Sequence, residues 1–289
     1  MKQETKSKIK VIVQGADGKM GSAIIGAILK NSDFKLIPVS LTAPETIEKS
    51  VIIDGLSITL FTPSEMRHYI PSGFIYSFVP MGKRTPEKDI PDVIVDFTHP
   101  KAIEYNVDFY TKMGLPFVLG TTGGDLDFIT TKVGEAGINA VVAPNMAGEI
   151  VAFQMMMDWL ALNFPGLYKD YDLTITESHQ KTKADTSGTA KAMVKTFNQL
   201  GTPFIQDQIE KKRTEDDYKR LGVPEEYWGG HGYHTYSLSK KDGSVDFSFS
   251  HNVRGREAYI AGTLNAIRYL YLKDVNGKVF SMTDVLQNK

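Results

Sequence analysis

A glycine-spaced turn, Gly15-Ala16-Asp17-Gly18-Lys19-Met20-Gly21, separates the apolar run Ile9–Gln14 from a segment, 19–30, in which Met20, Ala23, Ile24, Ala27 and Ile28 recur at helical spacing. Glycine at the first, fourth and seventh positions lets the backbone approach a pyrophosphate where a helix begins and its free N–H groups point outward. A tight strand-to-helix turn with no ligand is the plainer alternative. A strand before the glycines and a helix after them are the context that a dinucleotide site requires.

The alternation continues along the chain. Residues 35–41 read as a second strand, which closes a βαβ unit. Residues 51–53 and 56–61 flank Asp54-Gly55, a two-residue hairpin signal, and the stretch to Pro91, rich in proline and glycine, reads as irregular. Strands are expected at 93–97, 116–119 and 140–143, with helices at 102–113 and 125–136. This pattern calls for an α/β fold, a parallel sheet with helices on both faces. After Asn145 the character changes. A long helix over 148–164 leads to an alternating strand at 172–177, a lysine-rich loop, and a helix that Ser187 could cap. Antiparallel strands at 233–239 and 245–252 flank Asp242-Gly243, so the second part reads as α+β. An apolar helix at 264–272 and the closing 282–286 return to the first part. The expected division is 1–146, completed by about 262–289, and 147–261.

Composition excludes several classes of function. The chain has 289 residues, enough for two modest domains, and a formal net charge of -1, which gives no global field to attract nucleic acid or an anionic membrane. It has no cysteine, so disulfides, thiolate metal sites and a cysteine nucleophile are absent. His99, His231, His234 and His251 lack metalloenzyme spacing, and no metal is expected. His231 and His234 read most simply as loop and strand residues. The polar N-terminus is not a secretory signal, and no apolar run approaches the length of a membrane span. A cytoplasmic location is expected, or an organelle stroma if a targeting peptide has been removed.

An NAD-preferring site usually places an acid near the end of the second strand to hold the ribose 2′-hydroxyl. Here that region reads Val39-Ser40-Leu41-Thr42-Ala43. The hydroxyls of Ser40 and Thr42, with Lys19 in the glycine loop, can tolerate a 2′-phosphate. NADPH is the expected cofactor, with NADH as an alternative; a merely solvated Lys19 is the plainer reading of that residue.

The densest polar segment is Glu177-Ser178-His179-Gln180-Lys181-Thr182-Lys183-Ala184-Asp185-Thr186-Ser187-Gly188-Thr189-Ala190. It supplies an imidazole, ammonium groups and a Ser-Gly-Thr helix start, a set suited to an anionic substrate that needs a proton. A structural histidine beside solvated lysines is the alternative.

His179, Lys183 and Ser187-Gly188-Thr189 resemble the substrate motif of the dihydrodipicolinate reductase family. The other landmarks fall in the family's order: the glycine loop, Asp96-Phe97-Thr98, Gly120-Thr121-Thr122-Gly123, Ala143-Pro144-Asn145-Met146, and His251 with Arg256 before a final helix. Gln180 stands where many members carry a second histidine. Asp185-Thr186-Ser187-Gly188-Thr189 is one residue shorter than the usual motif and lacks its proline. Both features resemble the plant-type branch.

The resemblance implies a Rossmann-like doubly wound domain and an inserted α+β domain for substrate and oligomer contacts, in a homodimer or homotetramer. It implies reduction of a cyclic dicarboxylate imine on the lysine and diaminopimelate pathway. Hydride goes to C4 of the unsaturated ring, with His179 as proton donor and Lys183 as carboxylate partner. Gln180, Ser187, Gly188, Thr189, His251 and Arg256 would face the substrate. Gly15, Ala16, Gly18, Lys19, Met20, Gly21, Ser40, Thr42, Phe97, Thr98, Gly120, Thr121, Thr122, Pro144, Asn145 and Met146 would face the cofactor. The rivals are another two-domain NADP-dependent amino-acid or amine dehydrogenase, and a non-catalytic dinucleotide sensor; a sensor has no need of a proton donor beside an anion site.

Overall fold

The computed structural model describes residues 7–43, 46–62, 65 and 90–288. Most of the stretch before Pro91 that reads as irregular lies outside them. The chain forms two compact units: one takes the described residues up to Met146 together with those from Ile260 onward, and the other is Ala147–Tyr259.

The first unit is built on a six-stranded parallel sheet. Its strands are β1 (Ile9–Gln14), β2 (Phe34–Leu36), β6 (Val93–Asp96), β7 (Phe117–Leu119), β8 (Ala140–Val142) and β13 (Val279–Phe280), in the order β13-β8-β7-β6-β1-β2. Val11, Ile12, Val13, Ile94, Val95, Phe117 and Val118 are all fully buried. Unbroken apolar runs of this kind are what a parallel sheet covered on both faces requires. Helices α1 (Lys19–Leu29), α2 (Ile103–Lys112) and α3 (Leu126–Ala136) connect the strands. The order runs outward from β1 in both directions, so right-handed crossovers send α1 and the later helices to opposite faces. The direction of strand progression reverses between β1 and β6, and open α/β sheets bind ligands at such a switch point.

One expected strand divides in two. Residues 35–41 were expected to form a single strand, but β2 ends at Leu36 and β3 (Val39–Leu41) joins β4 (Ser50–Ile53) and β5 (Leu56–Phe61) in a separate three-stranded sheet. Pro38 has no N–H to continue the ladder, and the N–H of Val39 turns back to the Ile37 carbonyl. The β4–β5 hairpin turns on Asp54 (φ 46°) and Gly55 (φ 82°), the left-handed pair that an Asp-Gly loop favours. The short parallel strand β13 was not legible in the sequence. Its two residues pair with Ala140 and Val141, so residues near the C-terminus complete the sheet.

The second unit holds a mixed sheet in the order β10-β9-β11-β12, from β9 (Tyr171–His179), β10 (Glu210–Lys212), β11 (His231–Lys240) and β12 (Asp246–Arg254). His231 is therefore the first residue of a strand rather than a loop residue. Helices α4 (Gly148–Asn163) and α5 (Gly188–Gln199) contribute Met157, Ala161, Met193, Val194 and Phe197 to its core, against Ile175, Tyr236 and Leu238 of the sheet. Three further helices are α6 (Glu215–Arg220), α7 (Glu257–Tyr271) and α8 (Met282–Gln287). Among the described residues no helix is long and apolar enough to cross a membrane.

Candidate functional site

The glycine loop is held from several sides. The N–H groups of Gly15, Ala16 and Gly18 bond to the Leu41 carbonyl (2.9 Å), the Ser40 hydroxyl (3.0 Å) and the Gly15 carbonyl (2.9 Å). Gly15 has φ 79°, and a Cβ there would lie 2.6 Å from the Phe97 carbonyl oxygen; one at Gly21 would lie 2.0 Å from the Gly15 carbonyl oxygen. Neither position accepts a side chain without backbone movement. Gly18 is the N-cap of α1 and offers no capping side chain. The first-turn N–H groups that follow it have no intrahelical partner, and the helix dipole favours an anion there. This cradle fits a cofactor pyrophosphate. Lys19 is exposed at the helix start, Met20 is half-buried and Ala16 is buried.

Ser40 does not present a free hydroxyl. It accepts from Ala16 and donates to the Leu41 carbonyl (3.0 Å), and the residue is buried. Thr42 donates its hydroxyl to the Asp17 carboxylate and lies 2.9 Å from the Thr46 hydroxyl. An acid therefore does stand beside the end of the strand after α1. It comes from the glycine loop, twenty-five positions away in sequence, which is why a scan of residues 39–43 misses it.

The loops after β6 and β7 converge on the same end of the sheet. The fully buried Asp96 carboxylate accepts from the N–H (2.9 Å) and hydroxyl (2.7 Å) of Thr98, and from Asn106 (2.9 Å), Tyr110 (2.7 Å) and Thr121 (3.2 Å). Burial first, and then this carboxylate, push the Tyr110 hydroxyl well above its ordinary value, so it stays a donor. The Phe97 ring lies on Gly120, where a Cβ would come within 2.2 Å of it. Thr122 and Pro144 are exposed, and Asn145 is half-buried. Met146 is buried, and its carbonyl meets α7 so closely that a Cβ at Gly262 would lie 1.6 Å away.

In the second unit one sheet face changes character along its length. Strand side chains alternate, so Leu173, Ile175, Glu177 and His179 share a face of β9. Leu238, Tyr236 and His234 share the matching face of β11, with His234 opposite Glu177 and Gly232 opposite His179. The apolar end joins the core; the other end gathers titratable groups. Glu177 is fully buried, and its carboxylate accepts from His179 Nδ1 (2.5 Å), Arg213 (2.6 Å) and the Ser187 N–H (3.4 Å). Burial alone raises its pKa, but the hydrogen bonds from His179 and Arg213 outweigh that and hold it at about 2. An ionised carboxylate only accepts, so Nδ1 of His179 carries the hydrogen. Nε2 lies over Gly232, 3.3 Å from where a Cβ would sit.

Ser187 caps α5, accepting from the Ala190 N–H, and its hydroxyl lies 2.8 Å from His234 Nε2. Gly188 has open space where a side chain would project; Thr189 is half-buried. Lys183 holds the exposed Asp185 carboxylate at 2.8 and 2.9 Å, so a substrate carboxylate would have to share or displace that partner. Gln180 anchors the turn through its carbonyl, which accepts from the Lys183 N–H (2.9 Å). His251 pairs with His234 across β11 and β12, their rings 4.7 Å apart, and also packs on Phe153. Burial, and then the nearby His179, lower its pKa to about 4, so it is neutral near pH 7. Arg256 lies beside Gly230. Despite this gathering of imidazoles, among the described residues no group of three His, Asp or Glu side chains could hold a metal ion.

Arg213, Glu177 and His234 were not among the expected site residues. Glu177 was legible, since it lies two places before His179 on an alternating strand and so shares its face. Arg213 carries no local signal; it arrives from beyond β10, thirty-six positions from Glu177.

Residues 9–146 match the family described as dihydrodipicolinate reductase, N-terminus, and residues 148–286 match dihydrodipicolinate reductase, C-terminus. A probable 4-hydroxy-tetrahydrodipicolinate reductase 1, chloroplastic, of Oryza sativa is 38% identical over 98% of this chain and 80% of its own. A chloroplastic counterpart of Arabidopsis thaliana is 38% identical over 96% of this chain and 78% of its own. A solved dihydrodipicolinate reductase from Paenisporosarcina sp. TG-14, at 17% identity, shares the fold with a TM-score of 0.62, covering 95% of this chain and 98% of that one. With both halves matched and relatives aligned over nearly its whole length, the chain belongs to the dihydrodipicolinate reductase family, in its plant-type branch.

Proposed function

We propose that the chain reduces 4-hydroxy-tetrahydrodipicolinate to tetrahydrodipicolinate in lysine and diaminopimelate biosynthesis, with the first unit holding NAD(P)H and Ala147–Tyr259 holding the substrate. The observation that carries this reading is His179 fixed by a buried carboxylate, next to Lys183 and the Ser187-capped start of α5. The 4-hydroxyl leaves as water to give the unsaturated ring, and the cofactor, when bound, supplies hydride to C4 of that ring. His179 Nε2 gives a proton to the reduced ring system, directly or through water, and the imidazolium becomes neutral while its Nδ1–H keeps donating to the Glu177 carboxylate. A positioned acid of this kind is worth roughly 10²–10⁴ in rate. One substrate carboxylate sits on the N–H groups of Gly188 and Thr189, where the helix dipole favours an anion, and Lys183 takes the other. Gln180, His251 and Arg256 line the same substrate region.

NADPH is the preferred cofactor in this reading, with NADH also used. Lys19 supplies the cation for a 2′-phosphate, while Asp17, held by Thr42, offers an acceptor for a ribose hydroxyl and moderates the preference. Phe97, Thr98, Gly120, Thr121, Thr122, Pro144, Asn145 and Met146 line the nicotinamide end. The protein works as a homodimer or homotetramer through the substrate-binding unit, in the cytoplasm or an organelle stroma. Support for self-association comes from α4, which leaves Met156, Trp159 and Leu162 53–80% exposed.

The test is calorimetry in the presence of NADPH. Pyridine-2,6-dicarboxylate, which like the substrate carries carboxylates on both ring carbons beside the nitrogen, binds; the solved relative from Paenisporosarcina sp. TG-14 is dipicolinate-bound. Pyridine-2-carboxylate leaves one anion site empty and binds roughly tenfold to a hundredfold more weakly, the worth of one charge-assisted hydrogen bond. Lys183→Met erases most of that difference, while Lys181→Met does not. Equal affinity for the two ligands in the unaltered protein contradicts the two-anion site.

A further inference from the structure

Glu177 is an unusual residue to find on the buried face of a strand. Continuing the row of Leu173 and Ile175, it takes a place where an apolar side chain would extend the core, and it is fully buried. A buried carboxylate is costly unless paired and hydrogen-bonded. Here it is both. Arg213 donates to one oxygen (2.6 Å), the Ser187 N–H approaches the same oxygen (3.4 Å), and His179 Nδ1 occupies the other (2.5 Å). Arg213 also donates to the carbonyl of Lys183 (3.1 Å) and approaches those of Glu177 (3.4 Å) and Asp185 (3.5 Å). One guanidinium thus ties the carboxylate to the loop that carries Lys183. The Tyr218 hydroxyl, on α6, binds the carbonyls of His179 (3.0 Å) and Arg213 (2.9 Å), closing the frame from the other side.

We infer that the pair of buried Glu177 and half-buried Arg213 is the positioning element of the site. Glu177 fixes the tautomer and direction of the His179 ring, while Arg213 holds the Lys183 loop in register with it. The inference rests on the reading of His179 as proton donor. The other titratable groups facing His179 do not compete near neutral pH. His231, His234 and His251 are all lowered first by burial and stay uncharged, and Tyr218 is raised by burial and keeps its proton. The charge next to the ring is therefore that of Glu177, balanced on its far side by Arg213.

The experiment compares wild type, Glu177→Gln, Arg213→Lys and His179→Gln. The ¹⁵N shifts of the His179 ring are read in substrate-free protein, and kcat and KM are measured across pH. Wild type should show the Nδ1–H tautomer. In Glu177→Gln the amide can donate as well as accept, so the ring should become a mixture of tautomers. Turnover should fall about 10- to 100-fold. KM for NADPH should not change. Arg213→Lys loses the forked contacts, so KM for the dicarboxylate substrate should rise about tenfold or more. If Glu177→Gln does not fold, Glu177→Gln with Arg213→Met removes both charges of the pair and is read in the same way. A folded variant with the wild-type tautomer and undiminished turnover overturns the inference. His179→Gln turning over at the wild-type rate strikes the proton-donor reading instead, and the tautomer measurement then decides the role of Glu177 by itself.

Discussion

At the residue scale, the chemistry depends on which atoms are already committed. His179→Gln removes the proposed proton donor without touching the glycine cradle. Turnover should drop about 10²-fold or more while NADPH affinity, measured by fluorescence titration, stays within about twofold of wild type. Wild-type turnover would contradict the assignment, and a loss confined to cofactor affinity would point to a structural histidine. Asp17 gives a second test. Asp17→Asn removes the carboxylate that Thr42 holds, so the ratio of NADPH to NADH affinity should rise severalfold. An unchanged ratio would mean that Asp17 only shapes the loop. Residue types and spacing made His179, Lys183 and the glycines legible in the sequence. The commitments of Ser40 and Thr42 were not, because they depend on loop partners that no local pattern encodes.

At the element scale, β9, β11 and β12 show how alternation conveys both core and site. The same period of two that buries Ile175, Tyr236 and Leu238 brings Glu177, His179 and His234 to the far end of the face. The strands and hairpins were readable from that period, and the Asp-Gly turn was readable from its own chemistry. The division of the second strand at Pro38 and the two-residue β13 were not, since an edge strand that short has no periodicity to detect. The packed imidazoles also make a stability prediction. His231, His234 and His251 are lowered in the folded state, His251 to about 4 from 6.5. The unfolded chain therefore binds more protons below about pH 6.5, and stability falls as pH drops from there toward 4. Thermal midpoints in that window should decline, and His251→Phe, set against Phe153 and Tyr236, should flatten the decline. Glu177, held at about 2, acts in a lower window, with its contribution lost only below about pH 4.5. A level midpoint between pH 6.5 and 4 would contradict burial of the neutral rings.

At the scale of the whole molecule, the proposed function assigns the cofactor to the parallel-sheet unit and the substrate to the mixed-sheet unit. The alternation of strands and helices carried the first of these in the sequence, and the change of pattern after Asn145 carried the second. Self-association should appear in sedimentation as a dimer or tetramer. Leu162→Glu, on the exposed face of α4, should weaken it, and a wild type that sediments as a monomer at micromolar concentration would contradict that part of the reading. The most direct test of the account is absorbance-monitored oxidation of NADPH on addition of the condensation product of aspartate semialdehyde and pyruvate. The account predicts steady oxidation that depends on that substrate, is inhibited by pyridine-2,6-dicarboxylate and is nearly abolished in His179→Gln. Cofactor binding with no substrate-dependent oxidation would contradict it and favour a dinucleotide sensor.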